Sequence, residues 1–145
     1  MNGFPIFPVG LVSSSVKSLF PPDHFRDIES EIHIFPWFEP ALEGLREEVS
    51  IVVLFRFHFS REYSLRVHPR GDLSRPLKGV FATCSPNRPN HIGLSRVHLI
   101  GITGNRLLVR GLDAIDGTPV VDLKPFKNMD LLGNPPGLRM ESDRS

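Results

Sequence analysis

The sequence holds a single cysteine, Cys84, among its 145 residues. One cysteine cannot form an internal disulfide, and without a second at metal-ligand spacing it cannot anchor a zinc site by itself. A reducing compartment follows as the expectation. Long apolar runs are missing too. The longest, Ile51-Val52-Val53-Leu54-Phe55, is far too short to span a bilayer. The N-terminal stretch MNGFPIFPVGLVSSS lacks the basic start and unbroken apolar core of a secretory signal, so a cytoplasmic location is expected, with no membrane partner. No G-x-G-x-x-G follows a strand-like run, and there is no phosphate-binding P-loop, no H-E-x-x-H and no nucleophile elbow, which disfavours a Rossmann-type nucleotide-binding fold. The six histidines (His24, His33, His58, His68, His91 and His98) have no helical i, i+4 pairing with carboxylates, so no metal is expected.

Proline and glycine, by contrast, are plentiful, with 14 of one and 12 of the other. They leave little room for long helices, and the segments between them are rich in Val, Ile, Phe and Leu. The expected class is mostly β, with strands near residues 6–12, 31–35, 49–57, 78–83, 93–102, 105–110 and 120–124. Thr103-Gly104-Asn105 has the composition of a hairpin turn. Asp116-Gly117-Thr118-Pro119 reads as a tight turn with Gly117 at positive φ. One short helix is expected between Phe38 and Glu48, where Ala41, Leu42 and Leu45 share a face and Pro40 suits a first turn. With 40% hydrophobic residues the chain amounts to one core-forming domain, residues 1–126, followed by a loosely attached tail, residues 127–145.

The formal charge of +1 hides a polarity along the chain. Residues 23–48 are acidic, with eight carboxylates against Arg26 and Arg46. From residue 56 to 88 the balance reverses: Arg56, Arg61, Arg66, Arg70, Arg75, Lys78 and Arg88 oppose only Glu62 and Asp72. Such a stretch is either a solvated loop or a footprint for a polyanion such as RNA. It ends in the polar loop Cys84-Ser85-Pro86-Asn87-Arg88-Pro89-Asn90-His91. Two prolines there pre-set the backbone, holding Asn87, Arg88 and Asn90 in place before any ligand arrives.

The segment GVFATCSPNRPNHIGLS, residues 79–95, resembles the signature GVFATRSPxRPNPIGxS of the TrmO (TsaA) family of S-adenosylmethionine-dependent tRNA methyltransferases. GLDAIDGTPVVDLKPF, residues 111–126, resembles that family's GLDxxDGTPVxDIKPY, and weaker similarity spreads over residues 6–126. The resemblance implies a small antiparallel β-barrel with one or two short helices, usually a homodimer. It also implies methyl transfer from S-adenosylmethionine to the exocyclic amine of threonylcarbamoyl-adenosine beside the tRNA anticodon. Carried over position by position, it marks His58, Phe59, Cys84, Leu94, Leu112, Asp113, Ala114 and Ile115 for the cofactor. His58, Asp113 and Asp116 take the catalytic positions, and Asn87, Arg88, Asn90, Arg61 and Arg70 are assigned to the substrate. Three departures stand out: Cys84 replaces an arginine, His91 replaces a proline, and Phe20-Pro21-Pro22-Asp23-His24-Phe25 lacks the family's Pro-Arg-Gln cofactor loop.

Blander readings stand beside these. Asp113 and Asp116 are also what a tight turn uses to bond its own amides. A strand-end histidine and a lone loop cysteine are commonly structural. Three functions therefore remain in play: the tRNA methyltransferase, a methyltransferase with a small-molecule or protein acceptor, and an accessory module whose cofactor site has degraded.

Overall fold

The computed structural model describes residues 2–17, 25–47 and 49–126. The expected loose tail at 127–145 and most of the segment that lacks a Pro-Arg-Gln motif lie outside the described residues. Eight strands are formed: β1 Gly10–Ser13, β2 Glu29–Ile34, β3 Val49–Arg56, β4 Arg66–Val67, β5 Lys78–Gly79, β6 Ile92–Thr103, β7 Arg106–Arg110 and β8 Pro119–Pro125. Six of them close into an antiparallel barrel in the order β1-β2-β7-β6-β3-β8, while β4 and β5 pair apart from it. No helix among the described residues is long and apolar enough to cross a membrane.

Period-two alternation builds the barrel interior. Ile51, Val53 and Phe55 of β3 point inward with Val97 and Leu99 of β6, Leu107 and Val109 of β7, Ile32 and Ile34 of β2, Val12 of β1 and Val120 of β8. Each such side chain withdraws about 1.5–3 kcal/mol worth of apolar surface from water, which sets the register, since a one-residue slip would turn the whole set outward. The β6–β7 hairpin turns at Gly104, whose φ of 60° confirms the expected turn, and Gly117 sits at φ 82° as its turn requires.

Three expected elements differ. The first strand begins at Gly10 rather than residue 6, because Pro5 and Pro8 cannot donate to a ladder; Phe4, Ile6 and Phe7 there are exposed. The run expected at 78–83 pairs only at Lys78–Gly79 and then coils into a 3-10 turn, Val80–Ala82. Thr83 explains the break: its N–H and its hydroxyl both donate to the Val80 carbonyl, at 3.1 and 2.8 Å, replacing ladder partners. In place of a helix at 38–48, a 3-10 helix runs over Pro36–Leu42. Pro40 inside it has no N–H for an α-helical bond, and Gly44 at φ 88° turns the chain away.

Gly93 shows how tightly one end of the barrel is fitted. It lies opposite Phe55 in the β3–β6 register, and a Cβ there would come within 2.6 Å of the Phe55 ring and 2.8 Å of Phe57. Those rings meet edge to face at 5.2 Å between centroids. Gly93→Ala is therefore expected to cost about 1–3 kcal/mol in a denaturant titration. An unchanged midpoint would show that the Phe55–Phe57 pair is not held against Gly93.

Candidate functional site

At the end of the barrel where β3 finishes, the chain continues through Phe57, His58, Phe59 and Ser60. Beside it passes the segment after β7, Asp113-Ala114-Ile115, and Phe25 closes the group from the N-terminal side. Between them lies a cavity of about 70 Å³, open to solvent at its mouth and lined by aromatic and aliphatic residues, with His58 and Asp113 as its charged or titratable members. Its apolar lining with few convergent polar groups is the usual make-up of a small-molecule site.

The 113–118 segment is fixed by its neighbours. The Asp113 N–H donates to Ser95 Oγ at 3.1 Å, and the Thr118 hydroxyl donates to the Ile115 carbonyl at 2.7 Å. Asp116 accepts from the Ser14 N–H at 2.9 Å and from Lys17 Nζ at 2.7 Å. Its carboxyl is held below the ordinary value of 3.8, first by the Lys17 bond and then by the Ser14 amide. Asp113 behaves in the opposite way. Although the residue as a whole is exposed, neighbouring side chains take some of the water from the carboxyl and raise its pKa above 3.8, and the Arg70 charge only partly opposes the rise. Arg70 itself has φ 56°, a left-handed conformation uncommon for a side chain of its size. The His58 and Phe59 rings lie 4.2 Å apart, and Gly117 abuts His58: a Cβ on Gly117 would lie 3.9 Å from Nε2.

The structure brings together His58, Phe59, Asp113, Ala114 and Ile115 of the sequence-selected residues. Leu112 points into the barrel core at 1% exposure, whereas Leu94 is exposed on the outer face of β6 and Cys84 is exposed in its loop. Asn90 lines a separate groove with Arg56 and the exposed Phe4 and Phe7. Arg61 and Asn87 are also exposed. Arg88 staples its own loop, donating through Nη1 to the Thr83 and Ser85 carbonyls at 2.9 and 3.1 Å. Sequence reasoning missed Phe25, Phe55, Phe57, Ser60, Pro86 and Thr118 as cavity residues. Phe57 and Ser60 flank the selected pair and were within reach of it; Phe25 comes from a distant segment with no motif to mark it.

His91, in the place of the signature proline, is buried at φ 52°. Its N–H donates to the Arg88 carbonyl at 3.1 Å and its Nδ1 lies 3.0 Å from the Pro86 carbonyl. A proline has neither that N–H nor access to positive φ, so the loop turns here by a different route from the signature.

Comparisons with known proteins agree on the kinship. A "Probable S-adenosyl-L-methionine-binding protein" of Methanothermobacter thermautotrophicus is 46% identical over 132 residues, covering 88% of this chain and 94% of that protein. A mouse "tRNA (adenine(37)-N6)-methyltransferase" is 42% identical over 90 residues, 61% of this chain but 21% of the mouse protein. The crystal structure of TrmO from Pseudomonas aeruginosa superposes with a TM-score of 0.68 at 33% identity, over 86% of this chain and 56% of that one. The sequence profile of the tRNA-methyltransferase O N-terminal domain matches residues 20–130. With 111 of the 145 positions inside that match, and a relative of nearly the same span, the chain belongs to the tRNA-methyltransferase O N-terminal domain family.

Proposed function

We propose that this protein is an S-adenosylmethionine-dependent methyltransferase that acts on the exocyclic nitrogen of threonylcarbamoyl-adenosine next to the anticodon of a tRNA. The observation that carries the reading is the shared cavity. His58 and Asp113-Ala114-Ile115, far apart in sequence, meet in one apolar pocket at the barrel end. Family membership supplies the class of chemistry, and the names of the archaeal and mouse relatives supply the cofactor and an adenine of tRNA. A cytoplasmic homodimer is part of the same proposal.

The residues present suit the cofactor. S-adenosylmethionine carries an adenine ring, which Phe57 and Phe59 can face, and a sulfonium cation, which aromatic faces and a nearby carboxylate favour. When bound it would supply an electrophilic methyl group, which the acceptor nitrogen would take by in-line attack on the methyl carbon as the carbon–sulfur bond breaks and the neutral thioether leaves. The chain's own contribution is then mostly placement, for which about 7–11 kcal/mol of a barrier is available, with a further 10²–10⁴-fold from a positioned base. Asp113 fits the second role. Desolvation makes its carboxylate a better proton acceptor than an ordinary aspartate, and it stands at the cavity wall where an incoming amine would release its proton. His58 stands in the same wall as the other candidate. Asp116, bonded to Ser14 and Lys17, holds the turn that presents Asp113.

Calorimetric titration with S-adenosylmethionine is expected to show saturable binding at micromolar concentration or tighter; a folded protein that shows none would instead be an accessory module. In a tRNA methylation assay, Asp113→Asn is expected to lose about 10²–10⁴-fold in rate while cofactor affinity stays within a few-fold. The wild-type rate should climb with pH through a value above 3.8, because the base acts only when ionised. The sign for stability is the reverse. A raised carboxyl pKa favours the protonated fold and its contribution fades as pH rises, so Asp113→Asn should melt higher than wild type at neutral pH. A variant that melts lower and retains full rate would remove Asp113 from the mechanism. Asp116→Asn is expected to lower the melting temperature, an effect that disappears as acid protonates the wild-type carboxyl.

A further inference from the structure

Across the Asp113 and Phe25 wall from the apolar cavity lies a second, more open cleft, of about 350 Å³, lined by Arg26, Arg96, Arg110 and Gly111 as well as those two shared residues. None of the three arginines belongs to the basic stretch or the signatures read from the sequence. They come from three segments: Arg96 from β6, Arg110 from the end of β7, and Arg26 from the chain leading into β2. Gly111, at φ 90°, turns the backbone between β7 and Asp113, and the Arg26 carbonyl would lie 3.5 Å from a Cβ placed on it. The Arg26 segment is therefore held against the floor of the cleft.

The charges in the cleft are incompletely matched. Arg110 pairs with Glu29 at 3.0 Å. Among the described residues neither Arg26 nor Arg96 has an ion-pair partner. Arg96 is instead oriented by stacking, its guanidinium carbon 3.8 Å from the centroid of the Phe126 ring, which fixes the plane of the fork while leaving its edges for a ligand. Three arginines and one carboxylate, Asp113, line the concavity, and with Arg110 paired to Glu29 the remaining positive charge is concentrated where an oxyanion with two or three acceptor oxygens would enter.

We propose that the cleft of Arg26, Arg96 and Arg110 is an oxyanion subsite for the RNA substrate, holding a group next to the base that enters the apolar cavity. The inference rests on the proposed function and extends it. The oxyanion is either a backbone phosphodiester beside the acceptor nucleotide or the carboxylate carried on the acceptor base. Both are anions of the same substrate, and Asp113, as the wall between cleft and cavity, then faces the acceptor nitrogen while its neighbours hold the substrate's negative charge.

The test is binding of an anticodon stem-loop RNA, with and without threonylcarbamoyl on its adenosine, by fluorescence anisotropy across a salt series, alongside calorimetry with S-adenosylmethionine. The double variant Arg26→Gln/Arg96→Gln is expected to bind RNA tenfold or more weakly with an unchanged cofactor dissociation constant. An equal loss for both RNAs, with the salt slope reduced by about 0.7–0.9 per phosphate held, identifies a phosphodiester. A loss confined to the modified RNA identifies the carboxylate. Should the glutamine variant fail to fold, Arg96→Lys keeps the charge but not the fork, and a several-fold loss is expected. Unchanged RNA affinity in a variant whose wild type binds RNA overturns the proposal, as does a loss of cofactor affinity matching that of RNA. A folded wild-type protein that binds cofactor but neither RNA overturns the tRNA reading itself, and the subsite with it.

Discussion

Closure of the barrel between β1 and β8 is the constraint on which the site depends. The ladder there is short, pairing Gly10 with Val120 and Leu11 with Pro119. The 116–118 turn extends it: the Val12 N–H donates to the Thr118 carbonyl, the Gly117 N–H to the Val12 carbonyl and the Asp116 N–H to the Val16 carbonyl, at 2.9, 2.8 and 2.7 Å. The Asp116 carboxylate adds the Ser14 amide and Lys17. One turn thus seals the sheet and delivers Asp113-Ala114-Ile115 to the cavity. Sealing and delivery cannot be separated, which gives a physical reason for a DGTP run directly after the site residues.

Two aspartates three residues apart have opposite environments. Asp116 is surrounded by donors and is most at ease ionised. Asp113 has lost water beside an aromatic cavity, with the Arg70 charge as its partial compensation. Burial and hydrogen bonding move a carboxyl in opposite directions, so neighbouring copies of one residue type come to differ in how readily they hold a proton.

Much of this was legible in the sequence. Alternation in β6, the apolar run of β3 and turn composition at Gly104 and Gly117 report directly on barrel strands and their connections, because side-chain period and positive φ are local properties. The second signature segment marked 113–115, and the weaker resemblance around it marked His58 and Phe59, which share the cavity with them. What stayed hidden depends on competition or on distance. The Val80–Ala82 turn arises from Thr83 outcompeting a ladder, and the Pro36–Leu42 helix from a proline that suits a first turn but stands in the middle. Asp116 and Arg88 look catalytic or ligand-binding in a motif, yet their bonds run to Ser14, Lys17, Thr83 and Ser85. The arginine cleft could not be read at all, since Arg26, Arg96 and Arg110 converge only through the β2–β7–β6 pairing.

The pairing of β3 directly with β6 has a further consequence. Residues 57–91 leave the barrel and return to it as an excursion carrying β4 and β5, and every barrel strand finds both neighbours without them. Only the first few, Phe57 to Ser60, and Pro86 near the return touch the cavity. The rest is free to change length, charge or shape without any cost to the hydrogen-bonded wall behind it. Selection can therefore rewrite the loops beside the cavity through one insertion, while the barrel and the cavity wall built on it are inherited unaltered.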